Sequence, residues 1–110
     1  MRIILVEPQH PGNIGAVARA MANFGLDDLA MIKGCDLADE SFARSKSGRP
    51  VLENSKRYNT IEEAISECDI AIGTSGIKPE GDKRWFRAPE NVEKINDIIA
   101  ERENPALLFG

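Results

Sequence analysis

The sequence has no long apolar run and no segment with the pattern of a signal peptide. None of its 110 residues belongs to a stretch approaching the about 20 apolar residues of a membrane span. Arg2 is followed at once by a short apolar segment, which is typical of a strand and not of a secretion signal. We therefore expect neither a membrane span nor a signal peptide in these residues, and the length suits one small α/β domain.

Histidine and cysteine are scarce. His10 is the only histidine, and Cys35 and Cys68 are the only cysteines. None of the three has a partner at metal-ligand spacing, so we expect no metal site, a turn position for His10 and two small buried thiols. Isolated reduced cysteines are typical of a cytoplasmic protein. The net charge of −4 argues against a protein that coats nucleic acid non-specifically.

Apolar segments alternate with helical patterns, without repeats or low-complexity linkers. Clear strands are predicted at 3–6, 28–32, 69–73 and 106–109, and a short edge strand at 56–59. Helices are predicted at 14–24, 39–45, 60–67 and from Pro89 onward, with a further helical turn at 51–54. This alternation indicates an α/β fold, a mostly parallel sheet with helices on both faces.

Polar and glycine residues mark the ends of two predicted helices. Asn13 is predicted to cap the first helix by accepting a hydrogen bond from a first-turn N–H. Gly25 suits the left-handed position after its last turn. Thr60 and Glu63 form a capping-box pattern at the start of a later helix.

One flank of the first helix carries Arg19 among small residues. At about 100° per residue, Gly15, Arg19 and Ala22 share this flank. A glycine within a helix costs about 1 kcal/mol against alanine, so Gly15 needs a reason. We expect bare surface there, across which a ligand or another chain reaches the Arg19 guanidinium; a solvated arginine is the alternative. The face predicted to pack on the sheet contains Ile14, Val17, Ala18 and Met21.

Ligands of parallel sheets bind beyond the carboxyl ends of the strands. In this chain those ends lead into residues 7–12, into Thr74, Ser75 and Gly76, and beyond Gly110. Two hydroxyls and a glycine suit a small polar ligand, although an ordinary strand-end turn is the alternative. Because such a sheet rarely ends on a core strand, we expect residues 1–110 to form a single α/β domain that is incomplete at its carboxyl end.

The first helix also carries a family pattern. It reads Asn13-x-Gly15-x-x-x-Arg19 and continues into Asn23-Phe24-Gly25. This pattern resembles motif 1 of the SpoU-type (SPOUT) RNA ribose 2′-O-methyltransferases, and the run from residue 6 to residue 21 is most similar to their TrmJ branch. Supporting matches are Ile72-Gly73-Thr74-Ser75 and the terminal residues 106–110, which resemble the start of motif 2. The rest of motif 2 and all of motif 3, which form the knot of the family, are absent.

The resemblance implies the N-terminal part of a SPOUT fold, S-adenosylmethionine as cofactor, and tRNA or another structured RNA as partner. The branch implies a pyrimidine nucleotide of the anticodon loop as target, and a homodimer for the full-length protein. Carried over by position, Arg19 is the motif 1 arginine implicated in catalysis and Asn13 helps to order the site. The cofactor-contacting positions are Thr74, Ser75, Gly76 and Gly110. Without the missing motifs, we expect residues 1–110 alone to be inactive.

The role of Arg19 has two readings. The pKa of arginine exceeds about 12, which makes it a poor general base. We favour a group that pairs with the RNA phosphate beside the reacting ribose or steadies the developing alkoxide. A role as the base itself is the alternative.

Positive charge is concentrated in two segments. Lys83, Arg84 and Arg87 flank Trp85 and Phe86, and cations interleaved with aromatics can hold phosphates and stack bases. This segment is a candidate RNA contact; the other interpretation, which we favour slightly, is that its aromatics anchor the loop to the core. The other segment contains Arg44, Lys46, Arg49, Lys56 and Arg57.

Two other classes of function stay open. A nucleotide-binding or dehydrogenase-like domain is disfavoured because the first turn has Gly12-Asn-Ile-Gly15 in place of the Gly-x-Gly-x-x-Gly fingerprint. A non-catalytic module for RNA binding or dimerisation fits the same residues without requiring a complete cofactor pocket.

Overall fold

The computed structural model describes residues 1–73, 85–87, 97 and 99–110, with the backbone alone for 85–87. Within these ranges six strands form one sheet in the order β3-β2-β1-β6-β4-β5, and all its ladders are parallel. The strands are β1 (Arg2–Val6), β2 (Asp28–Ile32), β3 (Lys56–Tyr58), β4 (Ile70–Gly73), β5 (Trp85–Arg87) and β6 (Pro105–Phe109). The helices are α1 (Pro11–Asn23), α2 (Asp39–Ser45), α3 (Arg49–Glu53) and α4 (Ile61–Ile65), with a 3-10 turn at Lys46–Gly48 between α2 and α3.

Alternate side chains of the strands enter two separate cores. In β1, Ile3 and Leu5 pack with α1 and α3 on one face, whereas Ile4 packs with α4 on the other. Strands covered on both faces read as continuous apolar runs, which is why they were recognisable in the sequence. The predicted α/β class, with a parallel sheet and helices on both faces, is confirmed.

The start of α1 differs from the sequence prediction. The helix begins at Pro11, with His10 as the N-cap residue and no side-chain cap hydrogen bond. Asn13 is therefore an exposed residue of the first turn, and its prediction as the cap was wrong. Proline needs no partner for its missing N–H in the first turn, so it starts the helix earlier than the asparagine would.

The end of α1 confirms the prediction for Gly25. Its φ is +74°, the left-handed conformation. The Gly25 N–H donates to Ala22 O at 3.1 Å and the Leu26 N–H donates to Met21 O at 2.8 Å. These two hydrogen bonds form a Schellman motif, which satisfies carbonyls of the last turn.

Gly15 lies buried beneath α2 and not beside open surface. A Cβ atom on Gly15 would lie 2.1 Å from the carbonyl oxygen of Ser41, and the Ser41 hydroxyl donates to Pro11 O at 2.8 Å. The expected bare flank was therefore wrong, because the chain's own second helix fills it. Gly15 serves close packing of α2 on α1, while Arg19 stays exposed.

Gly48 makes a second close approach to α1. A Cβ atom there would lie 2.3 Å from the Ala18 carbonyl oxygen and 2.5 Å from the Arg19 backbone nitrogen. Backbone atoms cannot yield as the end of a long side chain can, so we expect Gly48→Ala to lower the free energy of unfolding by about 2–3 kcal/mol. Urea unfolding monitored by circular dichroism measures the effect. Gly25→Ala is the control, because it meets open space and carries only backbone strain, about 1 kcal/mol. Equal losses in both variants would contradict the packing role of Gly48.

Thr60 caps α4 as predicted. Its hydroxyl accepts a hydrogen bond from the Glu63 N–H at 3.2 Å. We expect Thr60→Ala to lower the free energy of unfolding by about 1 kcal/mol, and Thr60→Ser to retain most of it. Thermal unfolding of both variants beside the wild type provides the measurement. Equal loss in the serine variant would show that the threonine methyl group, and not its hydroxyl, is responsible.

A buried ion pair holds the amino edge of the sheet, where β1 and β2 begin. Arg2 is 1% exposed, and its Nε donates to the two carboxylate oxygens of Asp28 at 3.2 and 3.1 Å. Nη1 donates to Ala64 O at 2.8 Å and to the Tyr58 hydroxyl at 3.3 Å. Burial by itself lowers the pKa of Arg2, but the charge and hydrogen bond of Asp28 outweigh burial and raise that pKa.

Two sequence predictions concern the segment after β4. Residues 85–87 form the edge strand β5, whereas the prediction for this segment was a loop that contacts RNA or is anchored by its aromatics. The helix predicted from Pro89 lies outside the described residues, apart from 97, 99 and 100, which are helical. In the described part of the chain, no helix has the length and hydropathy needed to span a membrane.

Candidate functional site

A cavity lies where the strand order reverses. From β1 the chain adds β2 and β3 on one side of this strand. The strands of its second half, β6, β4 and β5, lie on the other side of β1. Beyond the carboxyl ends of β1 and β6 lies an open cavity of about 350 Å³. Parallel α/β sheets bind ligands at such a reversal, because the connections there diverge to opposite faces.

Apolar and polar groups line this cavity on different sides. Leu5 and Val17 contribute apolar surface, while Glu7, His10 and Asn13 contribute polar groups from the turn and the first turn of α1. Phe109 and Gly110 complete the lining at the end of β6. The cavity therefore suits a ligand that has both an apolar part and charged or hydrogen-bonding groups.

The turn after β1 is held by the neighbouring turn after β2. The Glu7 N–H donates to Ile32 O at 2.8 Å, and the Cys35 N–H donates to Pro8 O at 2.7 Å. Glu7 adopts a φ of +49° and Gly34 a φ of +83°. A Cβ atom on Gly34 would lie 2.5 Å from Pro8, so glycine allows the two turns to touch.

Arg57 secures the second turn from β3. Its guanidinium donates hydrogen bonds to the carbonyl oxygens of Lys33 and Cys35, the latter at 2.9 Å. In the sequence, Arg57 belongs only to a general cluster of positive charge, so its role in holding this turn was not predicted. No local signal reveals it, because the hydrogen-bonded carbonyls belong to backbone 22 to 24 residues away.

Arg19 faces a different cleft. This second cleft, of about 390 Å³, lies between α1 and the α2 segment, and its charged lining residues are Arg19, Arg44 and Lys46. In the sequence, Arg44 and Lys46 belong only to a cluster of positive charge. The structure places them beside Arg19, which was not predicted. The structure thus puts Asn13 and Gly110 in one cavity and Arg19 in another.

The structure describes at most the backbone of the remaining predicted site residues. Thr74, Ser75, Gly76, Lys83 and Arg84 lie outside the described residues. Arg87 belongs to β5 and pairs with Gly73 in the parallel ladder. Within the described ranges, no group of three or more His, Cys, Asp and Glu side chains gathers around a possible metal position. Neither Cys35, which is half-buried, nor Cys68, which is buried, takes part in a disulfide.

Fold and cavity together define a parallel α/β domain with an open cavity at the reversal of strand order. The family model described as "SpoU rRNA Methylase family" matches residues 1–110. The chain belongs to this family.

Three relatives illustrate the relationship. The chain is 36% identical over 110 residues to the tRNA (cytidine-2'-O-)-methyltransferase TrmJ of Methanocaldococcus jannaschii, covering 98% of this chain and 47% of the relative. It superposes on the crystal structure of TrmJ from Z. mobilis ZM4 with a TM-score of 0.80 and 29% identity, over 98% of this chain and 47% of the other.

The third is more distant. It is the SpoU methyltransferase AviRb from Streptomyces viridochromogenes, solved in complex with AdoMet, at 16% identity and a TM-score of 0.54, over 100% of this chain and 51% of the other. At that identity the similarity concerns the fold. The chain spans about half the length of each of these relatives.

Proposed function

We propose that the protein containing these residues transfers a methyl group from S-adenosylmethionine to a ribose 2′-hydroxyl of tRNA. The observation that carries this proposal is the cavity at the reversal of strand order, lined by the motif 1 residue Asn13 and by Gly110. Membership of the SpoU family and the activity in the name of the archaeal relative support it.

The residues around the cavity fit the proposed cofactor. S-adenosylmethionine, when bound, supplies an electrophilic methyl group on a positively charged sulfur. Leu5 and Val17 offer apolar surface to its adenine ring, and the Glu7 carboxylate places negative charge in the same cavity. We propose that Gly110 contacts the cofactor, together with Thr74, Ser75 and Gly76, which follow β4 in the sequence.

The chemical step asks the protein for alignment more than for activation of the leaving group. With S-adenosylmethionine bound, the 2′-oxygen would form a bond to the methyl carbon as the carbon–sulfur bond breaks, S-adenosylhomocysteine would be the leaving group, and the hydroxyl proton would pass to water. Holding both partners in line supplies much of such a rate enhancement. We propose that Arg19 pairs with the phosphate beside the reacting ribose or steadies the developing alkoxide, because a guanidinium stays protonated throughout.

A homodimer fits the separation of the two clefts. Asn13 and Arg19 line different cavities of one chain, and in the proposed dimer a second copy would bring its own Arg19 toward the cofactor. Phe24, next to this part of α1, is 81% exposed, and exposed aromatic side chains are enriched at interfaces. We propose that two copies associate near this surface.

The finer features of the proposal follow the relatives. The archaeal relative is named for cytidine, so we propose a pyrimidine nucleotide of the anticodon loop as the target. We propose that Lys83, Arg84 and Arg87 add contacts to the RNA. The cytoplasm, which contains tRNA and keeps thiols such as Cys35 and Cys68 reduced, is the proposed compartment.

The test is methyl transfer by the full-length protein. Incubation with S-adenosylmethionine carrying a labelled methyl group and unmodified tRNA should label the RNA. The label should survive alkaline hydrolysis within a dinucleotide, because a methylated 2′-oxygen cannot attack the adjacent phosphate. Binding of tRNA without any transfer would instead support a non-catalytic RNA-binding module.

A further inference from the structure

We propose that the cleft lined by Arg19, Arg44 and Lys46 binds consecutive backbone phosphates of the substrate RNA, with Arg44 and Lys46 as RNA-binding residues in their own right. This inference rests on the proposed function and extends it. It gives the RNA a path along the groove between α1 and α2 that leads to Arg19.

The composition of the cleft is unlike that of the chain as a whole. The chain has a net charge of −4, yet the cleft contains three cationic side chains and no acidic lining residue. Asn23 adds an amide, and the other lining residues are alanines. The small alanine side chains leave room for a phosphodiester backbone between the cations. Clustered cationic side chains without acidic residues among them attract polyanions.

The cations of this cleft are available to a ligand. Among the described residues, Arg19, Arg44 and Lys46 form no ion pair within 4.0 Å, whereas Arg2 and Arg49 do. The Glu40 carboxylate and the Arg44 guanidinium both lie over Gly12, but Glu40 does not line the cleft and the two groups form no ion pair within 4.0 Å.

The backbone around the cleft is fixed by packing. Gly15 allows Ser41 of α2, and Gly48 allows the segment after α2, to touch the backbone of α1. Lys46, between these contacts, has a φ of +48°, a conformation that a side-chain-bearing residue rarely adopts. Strain of this kind persists where the surrounding structure enforces it, and it is frequent at ligand sites. Here the strained turn lets Gly48 reach α1 and places Lys46 on the cleft.

The test compares two double variants of the full-length protein with matched charge changes. Arg44→Gln with Lys46→Gln removes two cleft cations, and Arg49→Gln with Lys56→Gln removes two exposed cations outside the cleft. Binding of an unmodified tRNA transcript is measured at several salt concentrations, and folding is checked by the thermal unfolding midpoint. All four side chains are exposed, so the folded state should survive.

We expect the cleft variant to bind tRNA at least about tenfold more weakly near 0.1 M salt, because two phosphate contacts and their counterion release are lost. The slope of log K against log salt should become shallower by about 1.4–1.8. Arg44→Lys with Lys46 intact should retain most of the affinity, since it preserves the charge. The outside variant should change the affinity by about twofold or less.

Equal effects of the two double variants, or no effect of either, would overturn the inference. If the wild type transfers methyl groups while both variants bind tRNA alike, the cleft assignment fails and the proposed function stands. If the wild type transfers no methyl group to RNA but the cleft variant alone loses tRNA affinity, the proposed function fails and the cleft assignment stands.

Discussion

Arg19→Lys should lower the rate of methyl transfer at saturating tRNA by about 100-fold, the scale of losing one aligned donor to developing charge. Lysine keeps the positive charge but loses the planar fork that pairs with a phosphate through two hydrogen bonds. Arg19 is exposed, and its side chain forms no ion pair among the described residues. Its backbone nitrogen lies close to Gly48. The substitution therefore changes the guanidinium chemistry without disturbing the core.

The measurement is initial velocity with labelled S-adenosylmethionine across a range of tRNA concentrations. Arg49→Lys is the matched control, because Arg49 is 61% exposed and pairs with Glu53 at 4.0 Å outside the cleft. The control should stay within about twofold of the wild type. Full activity in Arg19→Lys would refute the phosphate-pairing role and return Arg19 to the status of a solvated arginine.

Arg2→Met should lower the free energy of unfolding by about 3–5 kcal/mol, the usual cost of removing one member of a buried ion pair. The substitution leaves the Asp28 carboxylate and the Ala64 carbonyl without the donors that now reach them. The loss should fall toward the lower end of that range, because the Asp28 side chain is 28% exposed and water can reach it.

Urea unfolding of the protein gives this quantity, with Arg49→Met as the control for an exposed arginine. The control should change stability by at most about 0.5 kcal/mol, as exposed helix ion pairs contribute little. A double-mutant cycle with Asp28→Asn then isolates the coupling between the two charges. Equal stability of Arg2→Met and Arg49→Met would show that the buried hydrogen bonds of Arg2 contribute nothing net.

Local patterns were sufficient to predict most of the fold. The apolar runs of β1, β2, β4 and β6 and the signals at Gly25 and Thr60 all correspond to observed elements, and the strand ends shift by at most one residue. These signals act over a few residues, so the sequence displays them directly. The N-terminus of α1 is the exception, since Pro11 and Asn13 competed as starting signals and the rigid proline prevailed.

Long-range contacts could not be predicted in the same way. Gly15 was correctly singled out as costly within a helix, but its partner is the backbone of Ser41, 26 positions later. Arg2 and Arg57 find their hydrogen-bonding partners across strands. The place of Arg44 and Lys46 beside Arg19 depends on how α2 crosses α1. Each of these requires the tertiary arrangement, for which a single sequence contains no local signal.

The most direct test of the central claim is nucleoside analysis of tRNA after reaction with the full-length protein and S-adenosylmethionine. Digestion and mass spectrometry should find one added methyl group on the ribose of an anticodon-loop pyrimidine, absent when Arg19 is replaced. A methyl group on a base, or no added methyl group on any RNA, would contradict the account.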